Sequence, residues 1–219
     1  MRRIVSGLVD YLGSLATSIR RGWNEFFFTP ASPTSVGLIR IATGLLAFWS
    51  LFVLGLDLHD YFGSHGWADP SVIFQTQRER QPLAWSFWFW VPDALLRPVW
   101  LLCLLVLGMF TVGLYSRVTA VLSWIIIVST VRRLPIVLFG FDQVVSTLAL
   151  YLAATFSCGQ AVSLDRFLGR WREAREAAAQ IGRRGPFGGR DVSPRETGVP
   201  APTVAANLTL RLIQLHLVF

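Results

Sequence analysis

Residues 99–158 read VWLLCLLVLGMFTVGLYSRVTAVLSWIIIVSTVRRLPIVLFGFDQVVSTLALYLAATFSC, sixty positions that carry four charges, Arg117, Arg132, Arg133 and Asp142. A chain folding in water must cover its outside with polar side chains, and this stretch has too few to do so. Lipid in place of water suits such a composition. The whole chain agrees, with 53% of its 219 residues hydrophobic and 15% charged. Nine Trp and sixteen Phe cluster where apolar runs meet polar ones, as rings anchored at a bilayer interface do. The expected fold is all-α: a polytopic transmembrane helix bundle of four full spans and a truncated fifth, with two amphipathic interfacial helices.

Working outward, the first span is Val36 to Leu56. As a helix it would reach about 31 Å, enough to cross the hydrocarbon core. Its one charge, Arg40, reads as an interfacial anchor. A 42-residue connection follows, in which Trp85, Phe87, Trp88, Phe89 and Trp90 read as an interfacial segment. Span two is Val99 to Tyr115, followed by a tight turn at Ser116-Arg117. Span three runs from Val118 to about Val131, with Arg132 and Arg133 expected to snorkel toward the far interface. Span four opens near Asp142 and ends near Cys158, or opens earlier, since Pro135 suits a first helical residue. Residues 159–206 are polar and basic, and Gly182 to Pro202 reads as a flexible linker. A fifth apolar segment starts near Thr203 and stops at Phe219, short of a full span. A chain ending there would leave its carboxylate in hydrocarbon. The expectation is therefore the N-terminal part of a longer protein, lacking a C-terminal extramembrane region.

All twenty basic residues are Arg, giving a formal net charge of +7. With the N-terminus inside, segments 1–35, the short turn and 159–206 hold 13 Arg, against five in the outer segments 57–98 and 132–141. That asymmetry favours a multi-pass protein of the plasma (inner) membrane with a cytoplasmic N-terminus. Ile4, Leu8, Tyr11, Leu12, Leu15 and Ile19 share one helical face, as do Leu164, Phe167, Leu168, Trp171, Ala174, Ala178 and Ile181. Ser163 is a plausible N-cap for the second stretch and Gly182 its stop. Both stretches suit helices lying on the lipid bilayer. Mixed Arg and Glu along 172–176 suits a solvated face rather than nucleic acid. Residues 1–23 form an amphipathic segment and 24–219 the transmembrane domain, with 159–206 a cytoplasmic loop. Cys103 and Cys158 supply no disulfide or metal framework.

A carboxylate at the mouth of an apolar span asks for a reason. Asp142 either caps span four, where the helix dipole favours an anion and Arg133 is its candidate partner, or serves as a proton acceptor at the outer face. In the last segment Arg211, Gln214 and His216 either face a polar interior or satisfy interhelical hydrogen bonds. Asp57, His59, Asp60, His65 and Asp69 match no metal-ligand spacing, and no metal is expected. No P-loop, H-E-x-x-H, G-x-S-x-G or paired C-x-x-C is present, so nucleotide and zinc-hydrolase readings lack support.

The run from Leu101-Leu102-Cys103-Leu104 to Gly113-Leu114-Tyr115-Ser116-Arg117, the Gly140-Phe141-Asp142 junction, the Ser163-Leu164-Asp165-Arg166 turn and the Leu210-Arg211-Leu212-Ile213-Gln214 opening resemble the HTTM domain. That is the transmembrane region shared with vitamin K-dependent gamma-glutamyl carboxylase, and the resemblance covers about residues 24–219. It implies oxygenation of a reduced quinone, vitamin K hydroquinone in that family, to a strong base that removes a proton from a glutamate side chain before carbon dioxide adds. It also implies a lysine in the fifth span, its pKa lowered by burial. This chain has no Lys and stops about two helical turns before that position. Asp142 stands where the carboxylase has a histidine. The expected function is quinol-linked modification of a polypeptide or small substrate at the outer face, inactive in this stretch alone. Asp142 and His216 are its candidate catalytic residues, and Arg133, Gln214 and Arg211 its candidate quinol-binding residues. The alternative is a non-catalytic membrane scaffold or truncated paralogue.

Overall fold

The computed structural model describes residues 2–67, 69–80, 85–137, 140–155, 159, 161–183 and 200–218. Among these the chain is all-helical, its only β feature an isolated bridge between Ala31 and Thr203. Helix α1 spans Arg2–Phe28, α2 Pro33–Leu54, α3 Leu58–Phe62, α4 Pro70–Arg80, α5 Leu96–Val112, α6 Ser116–Arg133, α7 Gly140–Thr155, α8 Leu164–Arg183 and α9 Val204–Val218. Helix α1 runs unbroken past residue 23, so the expected boundary there is no break in the backbone.

Local chemistry sets the helix ends. Ser32 caps α2 by accepting from the Thr34 N–H, and Pro33 occupies the first turn, where its missing N–H is no loss. Helix α5 closes on Gly113 at φ 79°, with the Leu114 N–H donating back to the Met109 carbonyl at 2.9 Å, a Schellman close that glycine makes possible. The tight turn is thus Gly113 to Tyr115, while Ser116 and Arg117, expected in the turn, already belong to α6. Ser163 caps α8 through the Arg166 N–H at 3.3 Å, and α8 continues one residue past the expected stop at Gly182. The linker expected from Gly182 to Pro202 and the end of span four at Cys158 fall largely outside the described residues.

Helices α5, α6 and α7 run up and down in sequence. Helix α2 packs against α5 and α7, α6 against both α5 and α7, and α9 against α7, α1 and α2. One end of this bundle, the near end, holds the start of α2, the α5–α6 turn, the Val162–Asp165 strap and the Ala31–Thr203 bridge. The far end holds α3, α4 and the Phe87–Trp90 turn. Among the described residues two segments, Pro33–Leu54 and Asp93–Val112, are long and apolar enough to cross a membrane. Helix α6 carries three Arg over 18 residues, and α7 and α9 have 16 and 15 residues.

The core is divided between polar and apolar groups in an unusual way. Arg40, Thr43, Ser123, Ser129, Arg133 and Thr209 are buried, while Leu38, Leu45 and Trp49 of α2 and Leu101, Leu102 and Leu105 of α5 are more than half exposed. In α1, Tyr11, Leu12, Leu15 and Ile19 are exposed along one face as well.

Candidate functional site

The near end is built around two charges. Arg40 is fully buried, with Nη2 donating to the Val162 carbonyl at 2.7 Å and to the Thr111 carbonyl at 3.5 Å. It is therefore no solvent-facing anchor: it ties α2 to the end of α5 and to the strap before α8. Gly113 lets it through, since a Cβ there would lie 2.6 Å from Arg40 Nη1. Beside it, the Asp165 carboxylate accepts from the Tyr115 and Ser116 N–H groups at 2.9 Å each and from the Ser116 hydroxyl at 3.0 Å. Asp165 thus caps α6 from a distant part of the chain. Burial pushes its carboxyl up, but these hydrogen bonds and the Arg40 charge outweigh that and hold it below the ordinary carboxylate value.

At the far end Arg133 is fully buried and does not snorkel. Its Nη2 donates to the Phe62 carbonyl at 3.3 Å, and its guanidinium lies 5.4 Å from the Phe89 ring centre. The reason is that α3 and the aromatic turn cover the end of α6, so protein takes the place of the interface. Trp88, expected among interfacial rings, is likewise buried, its Nε1 donating to Thr130 Oγ1 at 3.2 Å. Asp69 accepts from the Ser71 N–H at 2.8 Å and hydroxyl at 2.7 Å, capping the start of α4. Among the described residues no three His, Cys, Asp or Glu side chains converge to hold a metal ion.

Asp142 lies in the first turn of α7, half-buried, and accepts from the Ser50 hydroxyl at 3.5 Å. It lines a cleft between α2, α5, α6 and α7 whose walls are Leu46, Ala47, Leu107, Ile126, Ile127 and Val145, with Ser50 and Thr130 as its hydroxyls. The cleft volume is about 30 Å³, room for a water or two. Organic ligands occupy roughly 300–1,000 Å³, so a quinone ring does not fit there. The arrangement sets a carboxylate next to a hydroxyl, at the mouth of an apolar slot.

The three candidates on α9 point elsewhere. Arg211 Nη1 donates to Gln214 Oε1 at 2.8 Å, and its guanidinium stacks 4.2 Å from the Phe26 ring centre. His216 is exposed, with its ring 6.0 Å from Tyr151 in an edge-on arrangement. Arg211 and Gln214 are thereby drawn to each other and to α1, while Asp142 faces α2. The fold brings the Gly113–Arg117 and Ser163–Arg166 stretches into contact, whereas no sequence signal tied Arg40 to Asp165.

No protein-family description, no curated protein and no solved structure matches this chain.

Proposed function

We propose that this chain is a multi-pass protein of the inner membrane, with α2, α5, α6 and α7 as four spans and α9 as a fifth. The N-terminus, α8 and the basic 159–206 segment lie on the cytoplasmic side, and α3 and α4 on the outer side. The observation that carries this reading is the row of large apolar side chains left outside on successive helices, with arginines, serines and threonines buried within the apolar core. Water disfavours that arrangement and lipid favours it, because in lipid the interior is where polar groups find hydrogen-bond partners. Buried Arg40 and Arg133 sit at opposite ends of the bundle, and α6 and α7, at about 24–27 Å, fall a few ångströms short of the hydrocarbon core.

Within that class the chain is HTTM-like, and its outer-end site is Asp142 with Ser50, acting as a proton acceptor in the modification of a polypeptide or small substrate. The contact between the two near-end motifs supports the resemblance, and the carboxylate in an apolar slot supports the proton role. The quinol that the resemblance implies does not fit the cleft, so no step through it is drawn. The cleft's small volume favours a second reading, a non-catalytic scaffold that docks a partner through its basic cytoplasmic face. A photo-crosslinking residue in place of Ser50, compared with one in place of Arg172, separates the two in intact membranes. The enzyme reading expects an adduct at position 50 that Asp142→Asn abolishes; an adduct at 50 unchanged in the variant removes Asp142 from the site, and adducts at 172 alone favour the scaffold.

A further inference from the structure

Among the described residues two that are not glycine hold a left-handed backbone, Tyr115 at φ 48° and Val162 at φ 51°. They stand on the two segments that meet at the near end, Tyr115 in the α5–α6 turn and Val162 in the strap before α8. For a residue with a Cβ this conformation is disfavoured roughly five- to thirtyfold, and valine, branched at Cβ, is a clear outlier in it. Such strain persists only where the surroundings impose it. Here charges from distant parts of the chain impose it. The Tyr115 N–H donates to Asp165 Oδ1 at 2.9 Å, and the Val162 carbonyl accepts from Arg40 Nη2 at 2.7 Å. The Asp165 N–H donates in turn to the Gly113 carbonyl at 3.2 Å. The fit is close as well as strained. A Cβ on Gly37 would lie 2.8 Å from the Ala161 carbonyl oxygen, and one on Gly159 would lie 2.7 Å from Ser116 Cβ, so the strap reaches α2 and α6 because both positions are glycine. Helix α8 itself does no more than graze the other helices among the described residues. Its position is therefore set by the strap.

We propose that residues 161–165 form a latch with two states: the closed one described above, and an open one in which Tyr115 and Val162 relax and α8 swings clear of the bundle. The closed state keeps the hydrogen bonds of Asp165 and Arg40 and carries the strain of two left-handed residues; opening gives up both. These opposing terms leave the open state a minority within reach. A surface or partner that binds α8 better when it is released opens the latch by that difference in affinity. The latch is defined by the near end alone and does not require the membrane reading above.

The Tyr115 and Ser116 amides report the latch, because both donate to Asp165 and exchange with solvent when it leaves. In the detergent-purified full chain, hydrogen exchange at these two amides, read by mass spectrometry, should slow about fivefold in Val162→Gly, which takes left-handed strain out of the closed state. Val162 is half exposed, so little packing is lost with its side chain. Asp165→Ala should bring the same two amides towards the free-chain rate, while amides at 124–128 in the middle of α6 keep their wild-type rate in both variants. No slowing in Val162→Gly, no acceleration in Asp165→Ala, or an equal change along the whole of α6 each overturns the proposal. Should Asp165→Ala fail to fold, the glycine variant decides alone. Spin labels at Gly169→Cys on α8 and Leu45→Cys on α2, in a chain lacking Cys103 and Cys158, follow the helix itself. The distance between them should be narrowly distributed with Asp165 in place and broadly distributed with Asp165→Ala; a distribution that stays narrow shows α8 held by something other than the strap and overturns the proposal.

Discussion

Asp165 does at a distance what an N-cap residue does locally. It satisfies two of the backbone N–H groups that open α6, and it places a negative charge at the positive end of that helix. Asn offers one acceptor where the carboxylate offers two, so Asp165→Asn should lower the stability of the detergent-solubilised protein by about 1–2 kcal/mol, read as a drop in Tm. The sign with pH follows from the direction of the shift. Because the folded carboxyl is held below its ordinary 3.8, the unfolded chain takes up the proton first. The stabilisation is present above pH 3.8 and is lost as pH falls through the folded value. Tm in the wild type should therefore fall over that acidic window, and the Asn variant should lack that component. Arg40 and Arg133 show why the residue scale was only partly legible in the sequence. An arginine near a span end reads as a snorkelling anchor because hydropathy registers the charge but not the carbonyls of Val162 and Phe62, which come from segments far away in the chain.

At the scale of elements, the helices were legible and their seams were not. The apolar runs placed α2, α5, α6 and α7 to within a few residues, because a continuous apolar stretch of that length has few other structures open to it. What the runs could not show is how α2 and α5 meet. A Cβ on Gly44 would collide with Thr111 Oγ1, and one on Gly55 with the Trp100 indole, whose Nε1 donates to the Leu51 carbonyl at 2.9 Å. Glycine lets the backbones approach here, and that closeness is what packing between helices in lipid relies on. Gly44→Leu should force α2 off α5 and convert the purified protein from a single gel-filtration peak to aggregate, whereas Leu45→Ala, on the exposed face, should leave the peak in place. A monodisperse Gly44→Leu protein would show that the seam is slack. The same limit applies to the candidate site: Asp142 was visible as a misplaced charge, but its partner Ser50, 92 positions away, was not. The α9 trio could be read either as facing a polar interior or as hydrogen-bonding between helices, and nothing in the sequence placed Arg211 against Phe26 of α1.

Over the whole molecule, one condition must hold. The apolar faces of α2 and α5 must lie in lipid, with the near end of the bundle inside the cell and the far end outside. Net charge alone cannot decide this, since a basic chain of +7 would bind many surfaces; the side on which each loop sits can. The most direct measurement is labelling of single cysteines in intact cells with a membrane-impermeant thiol reagent, in a background lacking Cys103 and Cys158. Trp67→Cys, at the exposed far-end loop, and Gly169→Cys, on the open face of α8, report the two ends. Trp67→Cys is expected to be labelled before lysis and Gly169→Cys only after it; labelling of both from the same side would contradict a bundle that spans the membrane with its two ends on opposite faces.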